Sequence, residues 1–131
     1  MDLSDKNQLP QKNRHYSDSF RYAFEGVKTT FQEERNMRTH VLAGVIALLL
    51  GLFLSLSIAE WLWIVLSSFL VFVLEILNTV IENLVDLVTK EYHPLAKKVK
   101  DMAAGAVLST TIFAVVTGLL IFAPKIIQLF F

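Results

Sequence analysis

The chain has 131 residues, of which 54% are hydrophobic and 18% charged, with a mean hydropathy of +0.53. That is too apolar for an ordinary water-soluble domain and fits one small membrane unit. Formal net charge is zero, which gives no electrostatic reason to expect a nucleic-acid partner, and the absence of cysteine excludes disulfides and thiolate metal sites.

Residues 1–18 read as a cytoplasmic tail, disordered at least through Asn13, where the chain is polar, contains Pro10 and shows no periodic pattern. From Ser19 the pattern changes. Phe20, Phe24, Val27 and Phe31 recur at offsets that make one apolar stripe on a helix, with Arg21, Glu25, Lys28 and Gln32 mostly elsewhere. Beside a membrane span, such a helix is expected in the interface plane with its aromatics at the acyl boundary. A soluble helix packed on a partner is the plainer alternative.

The polar segment from Gln32 to His40 leads into residues 41–58, a run without a charged side chain and long enough for about 27 Å of helix. This is the first expected span. No signal peptide is expected, because that run lies behind a polar, charged leader. A short turn over residues 55–60 follows, then a second span over 61–88, opening on Trp61 and Trp63 as interfacial anchors. Residues 89–100 read as a hydrophilic loop containing Pro94. The third span is expected over 103–123, ended by Pro124 and Lys125, with Ala103, Ala104, Gly105, Ser109 and Thr110 allowing close helix approach. The fold class is thus all-α integral membrane, with three transmembrane helices and an amphipathic amino-terminal helix. Residues 19–131 form the membrane-embedded domain.

The second span carries Glu75, Asn78, Glu82 and Asp86 among apolar residues. Offsets of 3, 7 and 11 from Glu75 fall at about 300°, 340° and 20° around a helix, so the four make one narrow polar stripe. An ionisable group inside a bilayer costs roughly 2.5–3.5 kcal/mol on insertion scales and usually faces a partner or a cavity. Polar glue between packed helices is the bland explanation. A single Asn would suit it; three carboxylates on one face suit it poorly.

Basic residues fix the expected orientation. Lys6, Lys12, Arg14, Arg21, Lys28, Arg35 and Arg38 precede the first span, and Lys90, Lys97, Lys98 and Lys100 lie between the second and third. The turn between the first two spans has none, so the amino terminus and the 89–100 loop are expected in the cytoplasm. A hydrocarbon core of about 30 Å takes roughly 20 helical residues, which from Trp61 ends near Val80. Glu75, Asn78 and Glu82 then lie at the cytoplasmic boundary and Asp86 just beyond it. Glu34 and Arg38 sit at the mouth of the first span, and Lys100 and Asp101 at that of the third. A water-borne reagent and a lipid can meet at this level.

Phosphoryl transfer from a nucleotide to a lipid alcohol suits these groups. It needs a divalent cation on the phosphates, a cation for developing charge, and a carboxylate for the hydroxyl. Glu34 and Glu82 can supply a magnesium pair, Lys100 a point charge for phosphate, and the deeper Glu75 the base that meets the lipid headgroup. No glycine builds a nucleotide loop of the G-x-x-x-x-G-K-[ST] or G-x-G-x-x-G kind, which argues against a familiar soluble kinase fold. His15, His40 and His93 share no metal-ligand spacing, so a histidine metal site is not expected. Lys97 and Lys98 read as a lipid-facing basic cluster, and Asp86 either as a solvating helix-end charge or as a nucleotide contact.

The run Glu75-Ile-Leu-Asn78-Thr-Val-Ile-Glu82-x-x-x-Asp86, followed by residues 96–107 from Ala96 to Val107, resembles the signature of the small prokaryotic diacylglycerol kinase family. The likeness extends to Ser19-Phe-x-x-Ala23-x-x-Gly26 and to Glu34-Arg-Asn36-Met-Arg38-Thr-His40, and so covers roughly residues 19 to 123. The resemblance implies a homotrimer with active sites shared between subunits, magnesium ATP as donor and a membrane lipid alcohol as acceptor. It implies Glu75 as catalytic base, Asn78 in the catalytic cluster, Glu34 and Glu82 as metal–nucleotide ligands, and Tyr22, Glu91, Tyr92, His93, Lys100 and Asp101 as nucleotide contacts. Arg38, with Glu75, is expected on the lipid side. Val80 departs from the Ala found in many relatives. The 34–40 run looks closer to the Gram-positive branch, which resembles undecaprenol kinases, and undecaprenol is the expected acceptor with diacylglycerol as the alternative. The rivals from other classes are a small proton- or cation-coupled transporter with Glu75 as relay, and a non-catalytic anchor.

Overall fold

The computed structural model describes residues 15–131 as four helices: α1 over Tyr16–Glu33, α2 over Arg35–Phe53, α3 over Ile58–Val88 and α4 over Pro94–Phe130. The expected tail up to residue 14 lies outside the described residues, and α1 starts at Tyr16, ahead of the apolar stripe. The last three helices are long and apolar enough to cross a membrane.

Only Glu34 separates α1 from α2. Its backbone is extended (φ −98°, ψ 118°), its N–H still donates to Thr30 O at 2.9 Å, and its carbonyl accepts from Arg38 N at 3.4 Å. One residue therefore ends one helix and starts the next. The Arg38 guanidinium reaches back to the carbonyls of Gln32 (2.7 Å) and Phe31 (3.4 Å), satisfying acceptors that a helix end leaves open. Met37, fully buried, and Thr30 anchor the corner from inside. Phe20 and Phe24 point outward and are 76% and 73% exposed, leaving an aromatic face on α1 that the chain itself does not cover.

At the opposite end, residues 54–57 turn the chain from α2 into α3, so the first span stops at Phe53 rather than at 58 and the expected 55–60 turn gives up its last three residues to α3. Ser55 takes a left-handed backbone (φ 50°). The Ser57 hydroxyl accepts from Glu60 N at 3.3 Å while Glu60 Oε2 accepts from Ser57 N at 2.7 Å, a reciprocal cap that starts α3. Gly51 is required here. A Cβ at this position would lie 2.7 Å from Trp61 Cη2 and 2.9 Å from Leu56 Cδ1. Trp61 thus closes the turn, and Trp63 packs edge-on against Phe113 with ring centroids 6.4 Å apart.

Helices α3 and α4 form the principal pair and α2 leans on α3. α3 is the central helix, burying Ile64, Ser67, Val71, Glu75, Asn78 and Thr79, whereas α2 buries only Met37 and Gly51. The small core, with Ile64, Val71, Ala103, Val107 and Phe122, lies along that pair. The remaining apolar surface faces outward, as it must where the solvent is lipid or a neighbouring helix.

Two expectations about α4 are corrected. Residues 94–100 are helix rather than loop, because Pro94 occupies the first helical turn, where its missing N–H costs nothing, and His93 Nδ1 caps Leu95 N at 3.1 Å. The connection from α3 shrinks to residues 89–93. Pro124 does not end the helix, which continues to Phe130. Lys125, one residue on, pairs with Glu60 at 3.1 Å and ties this part of α4 to the start of α3.

Candidate active site

The polar stripe of α3 lies at the end remote from the Glu60–Lys125 pair. Glu75 and Asn78 are buried, at 1% and 7% exposure; Glu82 is half-buried and Asp86 is exposed. The stripe therefore runs from the interior to solvent over three turns of helix. Asn78 Nδ2 donates to Glu82 Oε1 at 3.0 Å, one turn along. Both oxygens of Glu75 and Oδ1 of Asn78 are buried without a hydrogen-bond partner. Native interiors seldom leave such atoms unpaired, and among the described residues nothing pairs these three.

Two clefts meet this stripe. The deeper one is lined by Asn36 and His40 from α2, Glu75, Asn78 and Glu82 from α3, and Ala104, Val107, Leu108 and Thr111 from α4. The second cleft is lined by Asp86, Lys90, Glu91, Tyr92, His93, Lys97, Lys100 and Asp101, among others, around the 89–93 connection. There Lys100 Nζ lies 2.6 Å from Asp86 Oδ1, and Lys97 pairs with Asp101. Glu82 and Asp86, one helical turn apart, connect the two clefts.

An apolar groove continues from the deeper cleft toward the Glu60 end. Ala43, Gly44 and Ala47 of α2, Ile64, Ser67, Ser68 and Val71 of α3, and Ala114, Val115, Gly118 and Phe122 of α4 line it, and it shares His40 and Thr111 with the cleft. The hydroxyls of Ser67 and Thr111 bond to their own helix, at Ile64 O and Val107 O, so these two present little polarity to a groove otherwise lined mainly by apolar side chains. The groove and the deeper cleft thus meet at His40 and Thr111.

The expected site residues fall into distinct places. Glu75, Asn78 and Glu82 share the deeper cleft, and Asp86, Glu91, Tyr92, His93, Lys100 and Asp101 share the other; Glu34 lines neither. Tyr22 reaches neither. It is half exposed on α1, where the Arg21 guanidinium carbon sits 5.1 Å from its ring centroid. Arg38 is engaged with the last carbonyls of α1 rather than turned into a cleft. Sequence reasoning missed Asn36, His40 and Thr111. The first two are four residues apart on α2 and therefore share a face, a signal that was available. Thr111 offered none, since its place depends on how α4 is set against α3.

The donor set suits a hard divalent cation. Carboxylate oxygens of Glu34 and Glu82 and the amide oxygen of Asn78 are ligands of the type magnesium prefers, and magnesium commonly takes only one or two protein carboxylates beside phosphate oxygens. Among the described residues no three acidic or histidine side chains are arranged as a complete metal cage. Such a site would bind the cation together with a phosphate-bearing partner.

Comparison with known proteins names the group to which this arrangement belongs. The profile for prokaryotic diacylglycerol kinase matches residues 21–122, a stretch that includes both clefts. The chain belongs to the prokaryotic diacylglycerol kinase family. It is 43% identical over 124 residues to the undecaprenol kinase of Bacillus subtilis, covering 95% of this chain and all of that one. It is 44% identical over 112 residues to a diacylglycerol kinase of Synechocystis, covering 85% of this chain and 64% of the relative. With the diacylglycerol kinase of Escherichia coli K12 it shares 33% identity over 96 residues, covering 73% of this chain and 79% of that one. Membership of a membrane kinase family and three helices of spanning length together place the protein in a membrane.

Proposed function

We propose that the protein phosphorylates a long-chain lipid alcohol, undecaprenol in the first place, with ATP as donor and magnesium as the nucleotide's cation. The observation that carries this reading is the path from a buried, unpartnered carboxylate to an apolar groove. Glu75 stands where the hydroxyl of a lipid would arrive if its tail lay along α2, α3 and α4.

In the reaction, the acceptor oxygen forms a bond to the γ-phosphorus, the bond from that phosphorus to the β,γ-bridging oxygen breaks, and ADP leaves. Glu75 takes the hydroxyl proton. Asn78 holds Glu82 in place through its amide and keeps Oδ1 directed into the cleft. Magnesium, held by Glu34 and Glu82, would neutralise charge on the phosphates. Lys100 offers the developing charge an ammonium group, and Asp86, Glu91, Tyr92, His93 and Asp101 border the nucleotide. Arg38 acts indirectly, by fixing the corner that carries Glu34. Among the described residues the Glu34 side chain makes no capping hydrogen bond to α2, which leaves it available for this role.

The same reading places the Glu82 end and the amino terminus in the cytoplasm, on the strength of the basic residues there and their absence from the 54–57 turn. It lays α1 in the interface plane, where its exposed phenylalanines would be covered. It also assembles the chain as a homotrimer, for which the outward apolar faces of α2 and α4 provide surface and in which Tyr22 can serve a neighbour's cleft.

Undecaprenol is favoured by the full-length likeness to the Bacillus subtilis kinase. Diacylglycerol is the second reading, favoured by relatives named diacylglycerol kinase. Competition between the two lipids for the purified protein decides it: a larger kcat/KM for undecaprenol is expected, and a larger one for diacylglycerol reverses the assignment.

A further inference from the structure

Glu75 is the most buried carboxylate among the described residues, and neither of its oxygens has a hydrogen-bond partner. A base held in this way needs something to orient it. The donors around it are mostly engaged elsewhere. The Asn78 amide donates to Glu82 at 3.0 Å, the Thr79 hydroxyl to Glu75's own backbone carbonyl at 3.0 Å, and the Thr111 hydroxyl to Val107 O at 2.8 Å. Asn36 is exposed, one turn nearer the start of α2. His40 remains. Its Nε2 lies 4.0 Å from Glu75 Oε2, and its ring is 20% exposed at the junction of the polar cleft and the apolar groove.

We propose that His40 is the positioning residue for Glu75, donating a hydrogen bond from Nε2–H to one carboxylate oxygen so that the other faces the acceptor hydroxyl. This rests on the reading of Glu75 as the base. A neutral imidazole carries one donor and one acceptor, so the tautomer protonated at Nε2 supplies the bond without adding a charge. The separation is about 1 Å longer than a hydrogen bond, and catalytic hydrogen bonds of unliganded sites commonly tighten when substrate fills them. A lipid head entering from the groove passes His40 before it meets Glu75, which couples arrival of the acceptor to orientation of the base.

Side-chain shape provides the test. The Gln amide nitrogen reaches the position of Nε2, whereas Asn is too short and Ala has no donor. With ATP, magnesium and undecaprenol, His40→Gln is expected to keep kcat within about threefold of wild type. His40→Asn and His40→Ala are expected to lose on the order of 100-fold, the effect of misplacing a reacting group by about 1 Å. KM for ATP should stay within about twofold in all three, and kcat is expressed per folded protein recovered by gel filtration, so that a loss of folding is not read as a loss of turnover. Wild-type kcat in His40→Ala, or a His40→Gln enzyme as slow as His40→Ala, would overturn the proposal. Glu75→Gln, assayed in parallel, separates the underlying reading: if it turns over normally, the base assignment fails on its own and His40 has nothing to position.

Discussion

Lys100 Nζ and Asp86 Oδ1 are 2.6 Å apart, a contact that joins the first turns of α4 to the last turn of α3 across the 89–93 connection. The pair is partly solvent-exposed, and pairs of this kind add little to stability. Its use is to hold an ammonium beside the place proposed for the phosphates. Lys100→Met should therefore lower kcat/KM for ATP by about 100-fold, the scale of losing one charge-stabilising donor. Lys98→Met, an exposed neighbour outside the cleft, should change it by less than about twofold; an ATP titration of both variants checks the contrast.

Magnesium dependence should track Glu82. Chelation is expected to abolish turnover and added magnesium to restore it. Glu82→Gln should shift the half-maximal magnesium concentration upward by roughly 10-fold, since a neutral amide replaces a carboxylate ligand. Asn78→Ala should move it in the same direction but less, because the amide that holds Glu82 is lost. Magnesium titrations at fixed ATP measure both.

The turn opposite the site predicts a change in stability without a change in chemistry. Gly51→Ala forces a methyl group to 2.7 Å from Trp61 Cη2 and 2.9 Å from Leu56 Cδ1. Overpacking of this kind costs about 1–3 kcal/mol. Thermal unfolding in detergent should show a lower Tm, while kcat well below that temperature stays close to wild type.

The Glu60–Lys125 contact provides a second control at that end. If the chemistry is confined to the Glu82 end, Glu60→Gln and Lys125→Met should each leave kcat/KM within about twofold, as changes far from a site usually do. Their effects on Tm should fail to add in the double variant, because the two side chains share one interaction. A transporter using the whole depth of the helices would instead lose function when either charge is removed.

Much of the site was legible because helical periodicity is strong in an apolar background. Glu75, Asn78 and Glu82 stand out as polar positions one turn apart, and a lipid environment makes each costly unless it faces a partner. The 94–100 segment was misread because its hydrophilic composition and Pro94 suggest a loop, although proline in a first helical turn favours helix. Pro124 misled for the matching reason: a proline predicts a stop only where nothing else holds the helix, and the Lys125–Glu60 contact lies beside it. The corner at Glu34 has no proline or glycine to announce it. Its extended backbone is stabilised by Arg38 reaching back to carbonyls six and seven residues earlier, a tertiary arrangement that no local pattern reports. The convergence of His40 and Thr111 on Glu75 depends on how three helices are set against one another, which periodicity within each helix leaves open.

The most direct test follows the terminal phosphate. Purified protein is incubated with magnesium and ATP radiolabelled in its γ-phosphate, with undecaprenol as acceptor, beside Glu75→Gln shown by gel filtration to assemble as the wild type does. The account predicts labelled undecaprenyl phosphate from wild type and a rate lower by roughly 100- to 10,000-fold from the variant, the range for removing a general base. Transfer at an undiminished rate by Glu75→Gln would contradict it.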